Sequence, residues 1–145
     1  MGTRTQGRPR SRRGANAIEF ALTAPVLIFL ILGIMDYGWF FLNRILLESS
    51  TARVAYVGSI VIGDEAMTQG DIALMQGQST WDNFNIPGDP TFTTEVQVVG
   101  GVNVINATGT LPYSRIALPE GLMPARTIRI VVSRRMENQF PINQG

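Results

Sequence analysis

The chain has 145 residues, enough for one domain, and its hydrophobic content of 45% with a mean hydropathy of +0.13 indicates one strongly apolar segment. It contains no Cys and no His, which excludes disulfides, thiolate sites and the commonest general base and metal ligand. We therefore expect a protein that is not an enzyme, with no cofactor, no metal site and no small-molecule substrate. The net charge of +1 hides an asymmetry, because five of the twelve Arg precede Gly14 and the rest of the chain carries seven Arg against eleven acids, a net charge of −4.

The first residues form a basic leader. Residues 1–14 are rich in Arg, Gly, Ser and Thr, a composition too polar to fold, so we predict disorder there. A basic tail can bind nucleic acid, but this one runs directly into an apolar stretch, with no basic helix or aromatic-rich basic surface after it. A topology signal is favoured, and no nucleic-acid partner is expected.

An apolar stretch follows the leader. Residues 20–35 carry no charge, and the stretch continues to Leu42 with Asp36 as its one charged residue. As a helix it would cross about 30 Å of hydrocarbon, so we predict a single membrane span over about residues 20–42. The five Arg before it place the N-terminus in the cytoplasm and the C-terminal part outside, in the periplasm or beyond. Pro25 removes one hydrogen bond and should kink the helix, and the aromatic residues around Asp36 indicate an interfacial position for its carboxylate.

The helical pattern continues beyond the span. One helix from about Ala15 to Val61 would be about 70 Å long, so its outer half must pack against something outside the bilayer. Gly63 is expected to end it, giving three parts of the chain: 1–14, 15–62 and 63–145. Positions at three- and four-residue steps form the predicted contact line, and the polar positions between them lie off it: Leu47, Ser50, Val54, Val57 and Val61 on the line, and Asn43, Glu48, Arg53 and Ser59 off it.

The remaining residues predict a loop region and a small sheet. Residues 63–89 are rich in Gly, Gln, Asn and Asp and predict a loop with at most one short helix. Alternation of apolar and polar residues then predicts a β-hairpin with a three-residue loop, Val99–Gly101, which would pair Val98 with Val102. Residues 107–111 are predicted to extend its second strand. A third strand over Thr127–Ser133 would turn Ile128, Ile130 and Val132 to one face, and the outer half of the helix is the one long apolar surface that can cover such a sheet. The predicted class is α+β.

The block from Arg12 to Gly38 contains Arg12-Arg13-Gly14-Ala15-Asn16-Ala17-Ile18-Glu19-Phe20, then Pro25, then Gly33-Ile34-Met35-Asp36-Tyr37-Gly38. It resembles the prepilin-type signal of type IVb pilins, and most closely that of the TadE-like minor pilins or pseudopilins of the bacterial tight-adherence (Tad) system. The resemblance continues weakly through Ser50–Tyr56 and again at Ser133–Glu137. It implies cleavage after Gly14 by a prepilin peptidase, an inner-membrane precursor, other pilin subunits as partners, and a role in pilus biogenesis and surface adhesion, with incorporation into a surface filament as one outcome.

The same block has a physical interpretation. An ionised Glu19 at membrane depth is costly and needs a partner. Cleavage after Gly14 would create one, since the new α-amino group of Ala15, with an ordinary pKa of roughly 7.7 to 8.0, is largely cationic at neutral pH. We expect it to neutralise Glu19 of a neighbouring subunit and to set the axial register, while Phe20, Pro25 and the rest of the apolar helix supply the packing surface.

Other interpretations stay open at this point. The chain could be an uncleaved bitopic protein whose outer part binds a partner, with Glu19 reaching the headgroups. Ser11–Arg13 suggests a twin-arginine export signal, but Glu19 and Pro25 interrupt its apolar region and no small-x-small cleavage site follows promptly. Four oxygen-bearing side chains, of Asp82, Asn83, Asn85 and Asp89, could hold calcium, but they lack the spacing of a known calcium loop.

Overall fold

The computed structural model of the protein describes residues 12–60, 68–113, 116–117 and 126–136. Its three strands form one antiparallel sheet in which they lie side by side in chain order, and both helices contact one face of it, so the predicted α+β class is confirmed. The elements follow the chain as α1 (Arg12–Ile60), α2 (Gln69–Asp82), β1 (Thr91–Val99), β2 (Val102–Tyr113) and β3 (Arg126–Arg135).

Helix α1 is one unbroken helix of 49 residues, about 70 Å long, as the sequence predicts. It begins at Arg12, slightly before the predicted start at Ala15, and the predicted end at Gly63 lies outside the described residues. Its surroundings divide it into two parts. In the apolar half (residues 16–35) most side chains are exposed, whereas the packed half (residues 36–60) has one side buried by the rest of the protein.

Helix α2 lies within the region predicted as loop with at most one short helix. A capping box starts it: the Asp71 amide donates to the Thr68 hydroxyl at 3.2 Å, and the Thr68 amide donates to the Asp71 carboxylate at 3.2 Å. Two hydrogen bonds from Thr68 to the Asp71 carboxylate lower the pKa of Asp71 below its ordinary value of 3.8. The bond from the Thr68 side chain has the larger effect and the bond from its backbone amide the smaller. At the other end Trp81 is buried and its indole nitrogen donates to the Gly88 carbonyl at 3.3 Å, which fixes the following loop.

The predicted three-residue hairpin loop is wrong. Gly100 and Gly101 form a two-residue turn, and Val99 pairs directly with Val102. Both glycines have positive φ, 60° and 79°, which matches the turn whose twist suits a tight hairpin and which side chains disfavour. Two consecutive glycines therefore determine the loop length, and the pairing of valines that motivated the longer loop does not occur.

The register follows from the far end of β2. Ile105, Ala107 and Leu111 are buried against the helices, and they alternate out of phase with Val102 and Val104. A strand can present only one of these two sets to the core. The longer set determines which face of β2 points toward the helices, and with it the register of the hairpin. The predicted extension of the second strand through residues 107–111 is confirmed, and the valines on the two sides of the turn face opposite sides of the sheet: Val96 and Val98 the helix side, and Val102 and Val104 the other.

The third strand and the cover of the sheet agree with the sequence. In β3, Ile128 is buried toward the helices, whereas Val131 on the opposite face is 55% exposed. The packed half of α1 crosses β2 and β3, and α2 lies beside β1. The core between them contains apolar side chains from every element: Leu47, Val54, Ala55, Val57, Ala73, Trp81, Phe92, Ala107, Leu111 and Ile128.

Three glycines allow the two helices and β2 to approach closely. A Cβ at Gly109 of β2 would overlap Thr51 of α1, and a Cβ at Gly77 of α2 would overlap Val54 of α1. A Cβ at Gly58 of α1 would likewise overlap a side chain of β2. The small-residue positions thus fix the distances between layers, because any larger side chain there would separate the elements.

Candidate processing and assembly site on the first helix

The predicted cleavage position lies in the first turn of α1. Gly14 is exposed, and a Cβ added to it would meet nothing within 4 Å. The amides of this turn have no intrahelical acceptors, and no acidic residue in the turn offsets the positive end of the helix dipole. The bond between Gly14 and Ala15 therefore lies in a terminal turn that no acidic side chain of its own stabilises.

Glu19 lies one turn further and is exposed, as is Phe20 beside it, whose side chain is 71% accessible. The backbone under both is tied by Thr23, whose hydroxyl donates to the Glu19 carbonyl at 3.0 Å and lies 3.3 Å from the Phe20 carbonyl. Within the described part of the chain no side chain pairs with the Glu19 carboxylate. The structure thus places Glu19 and Phe20 side by side at the start of the apolar half, facing away from the protein.

Pro25 lies inside α1, which remains helical on both sides of it. Its ring leaves the carbonyl one turn earlier without the usual amide donor. The kink expected at Pro25 stays a prediction. Together the five predicted residues, Gly14, Ala15, Glu19, Phe20 and Pro25, occupy the first four turns of one helix, and Gly14, Glu19, Phe20 and Pro25 are exposed.

Most of the apolar half is exposed, and Leu32 near its end is half-buried. Its other large aliphatic and Phe side chains stay between about one half and three quarters accessible: Ile18, Phe20, Leu22, Val26, Leu27, Ile28, Phe29, Leu30, Ile31, Ile34 and Met35. The most apolar 18-residue window of α1 has a mean hydropathy of 2.3, and none of it is buried. In water such a surface would be strongly unfavourable, so it requires lipid or other protein around it.

The sequence did not identify Asp36 as a contact residue, and the structure shows it as the junction between the two halves. Asp36 is 4% exposed, and its Oδ1 accepts hydrogen bonds from the amides of Ile116 at 3.1 Å and Ala117 at 3.0 Å. Its backbone carbonyl accepts from the Tyr113 hydroxyl at 2.9 Å, and the Tyr113 ring packs edge-on against Phe40 at 5.3 Å. The end of β2 and the residues after it are thereby fastened to α1 where the apolar half ends.

A signal for this junction is present in the spacing. The contact line of the packed half extends toward the N-terminus in alternating steps of four and three residues, and Asp36 and Asn43 lie on it. The prediction that Asn43 and Ser59 lie off the buried side is wrong, since both are nearly inaccessible. They are buried because each satisfies its polar group on the preceding turn: the Asn43 amide donates to the Trp39 carbonyl at 2.8 Å, and the Ser59 hydroxyl donates to the Tyr56 carbonyl at 2.7 Å.

These features define a class of protein: an α+β protein with one long N-terminal helix, apolar enough in its first half to span a membrane, that carries a small antiparallel sheet on its second half. Most of α1 is similar to the TadE-like proteins. The family model described as TadE-like protein matches residues 14–55, which confirms the predicted resemblance and indicates a Tad pilus-associated protein. The match includes all five predicted site residues and ends before α2 and the sheet. No curated protein and no solved structure matches the chain.

Proposed function

We propose that the protein is a minor pilin or pseudopilin subunit of a Tad-type, type IVb pilus assembly and acts as a structural component, not as an enzyme. The observation that supports this most is the contrast along α1. A helix whose first half is largely exposed, and whose second half is covered on one side by its own domain, can exchange lipid for neighbouring helices around its first half. Such an exchange is the physical requirement for moving a subunit from a bilayer into a bundle of helices.

The proposed membrane placement uses the junction at Asp36. We call α2, the three strands and the residues after β2 the sheet domain. This domain contacts α1 from Asp36 onward, so we place the span at about residues 16–35, short of the predicted end at residue 42. Twenty residues give about 30 Å of helix, the thickness of the hydrocarbon layer. The protein is then a bacterial inner-membrane protein whose Arg-rich leader lies in the cytoplasm. Its sheet domain lies in the periplasm or at the cell surface.

The proposed processing step removes the leader after Gly14 by a prepilin peptidase. It would leave a cationic amine on Ala15 at roughly one turn from the exposed carboxylate of Glu19. Because all carboxylates at this depth need a partner, the amine and Glu19 of adjacent subunits are expected to pair and fix the register, with Phe20 and Pro25 in the same contact. The assembled subunits would contribute to pilus biogenesis and adhesion.

The processing proposal is tested by the N-terminus of the mature protein. Mass spectrometry of the protein extracted from membranes of its host should find Ala15 as the first residue. A stable product that starts at Met1 would contradict processing and favour an uncleaved bitopic protein. Release of a soluble product by signal peptidase would favour export through the twin-arginine route.

The assembly proposal is tested by two matched substitutions on the same helix. Glu19→Ala removes the carboxylate of the apolar half, and Glu48→Ala removes an exposed carboxylate of the packed half. We expect loss of incorporation into sheared surface filaments for Glu19→Ala and near-normal incorporation for Glu48→Ala, with both proteins present in membranes. Equal incorporation of the two variants would contradict the role given to Glu19.

A further inference from the structure

Two segments that are distant in the sequence meet on the surface of the sheet domain. The Tyr56 ring of α1 has the guanidinium of Arg134 of β3 at 4.7 Å from its centre and that of Arg53 at 5.6 Å. Both distances are within the range of cation–π attraction. All three residues are exposed, and the ring holds two long cationic side chains at the free edge of the sheet. Arg and Tyr fixed in this way are typical of the residues that dominate protein interfaces.

The charged side chains that the structure describes after α1 are separated between the two edges of the sheet. Helix α2 contacts β1 and, among the described elements, does not contact β3, so α2 and β1 form one side and β3 with Arg53 the other. All described acids after α1 lie on the first side: Asp71, Asp82, Asp89 and Glu95. The described Arg after α1 all lie on the other: Arg126, Arg129, Arg134 and Arg135. Every one of these eight side chains is exposed.

From this separation we infer that the basic edge (Arg53, Tyr56, Arg134 and Arg135) docks against the acidic edge (Asp89, Glu95 and α2) of a second copy of the same chain. Copies anchored by α1 stand in the same orientation in a membrane, so a neighbour presents its acidic edge to the basic edge of the next. Such a head-to-tail contact uses two different surfaces and can continue from subunit to subunit without closing. The inference rests on the proposed function, since it names the contact that outer domains make during assembly.

The absence of Cys from the chain makes the contact testable with the full-length protein in membranes. Gln97→Cys on β1 and Ser133→Cys on β3 are both at exposed, uncharged positions of the edge strands, so all charges stay in place. Within one chain the two positions lie about two strand spacings apart, roughly 10 Å, which exceeds the reach of a disulfide, about 7 Å between Cα atoms. Co-expression of two differently tagged copies, one with each Cys, should give a cross-linked dimer on mild oxidation.

Matched controls separate a specific contact from random collision. Two copies that both carry Gln97→Cys, or that both carry Ser133→Cys, should cross-link about tenfold less, because like edges repel. Raising the salt to about 1 M, where the Debye length falls to about 3 Å, should lower the mixed cross-link as well. Equal yields for mixed and same-edge pairs would overturn the inference, as would a mixed yield insensitive to salt.

A charge exchange keeps the test independent of folding defects. Arg134→Glu in the copy with Ser133→Cys should lower cross-linking about tenfold, and Glu95→Arg in the other copy should restore it. Failure of the second change to restore the yield would overturn the inference. The readout needs neither cleavage nor a filament, so a mature N-terminus at Met1 would contradict the proposed function without affecting the cross-link. Conversely, Glu19→Ala should lose filaments and retain the cross-link.

Discussion

The two halves of α1 are parts of one continuous helix with opposite surroundings. The apolar half has large, mostly exposed aliphatic side chains, whereas the packed half has one buried line that includes Asp36, Asn43 and Ser50. The half that is richer in apolar residues is therefore the exposed one. A residue of α1 is buried where the sheet domain covers it, whatever its polarity. The composition of the apolar half suits contact with lipid or with other subunits.

The largest expected effect comes from the same substitution made in each half. Leu47→Ala removes a side chain that is 0% exposed and should lower the free energy of unfolding by about 2–5 kcal/mol, because a cavity remains in the core. Leu30→Ala changes a side chain that is 60% exposed and should leave the domain's stability unchanged. Urea unfolding in detergent micelles, followed by tryptophan fluorescence, measures both. Equal destabilisation would show that the halves are not separated as the structure indicates.

A second pair of substitutions makes the same comparison by adding one methyl group to a glycine, whereas the first pair removes three carbon atoms from a leucine. Gly109→Ala places a Cβ against Thr51 of α1 and should cost about 1–3 kcal/mol by forcing β2 away from the helix. Gly33→Ala has open space around it in the apolar half, and a small gain in helix stability of about 0.5–1 kcal/mol is expected. The same unfolding measurement applies, and a neutral Gly109→Ala would contradict the close approach.

The junction between the halves predicts a smaller effect at Asp36. Asp36→Ala leaves the amides of Ile116 and Ala117 without their acceptor and should cost about 1–2 kcal/mol. Hydrogen exchange at these two amides should accelerate, while Asp36→Asn, which keeps one oxygen, should retain most of their protection. Glu19→Ala in the apolar half is the matched control and should change neither exchange rate.

The smallest effect concerns the starts of the two helices, since α2 has an acid in its first turn and α1 has none. The hydrogen bonds from Thr68 lower the pKa of Asp71, so the ionised form stabilises the folded state. That contribution is complete above pH 3.8, the ordinary pKa, and is lost as the pH falls through the lowered value. The melting temperature of wild type should exceed that of Asp71→Asn at neutral pH, and the difference should shrink in acid. A difference independent of pH would exclude the capping carboxylate as its source.

Much of this fold and of the candidate site could be predicted because the signals are local. An uninterrupted apolar stretch and the three- to four-residue spacing after it determine α1, and the apolar positions Ile128, Ile130 and Val132 at two-residue steps determine β3 and its buried face. The candidate site was likewise identified from adjacent residues, from Gly14 to Pro25. The family match over residues 14–55 includes this stretch, where the side chains of Gly14, Glu19, Phe20 and Pro25 are exposed.

Only the tertiary structure decided between arrangements that the local sequence allows equally well. The hairpin register depended on which of two alternating sets in β2 faces the helices, and Ile105, Ala107 and Leu111 prevailed through contacts with residues far away in the sequence. Asp36 is buried because amides about 80 positions later reach its carboxylate. Sequence by itself determined the long helix, the three strands and which half of the helix suits a membrane, but it did not place α2. The partners of polar groups and the meeting of Tyr56 with Arg134 required the folded chain, because periodicity specifies a face and not what covers it.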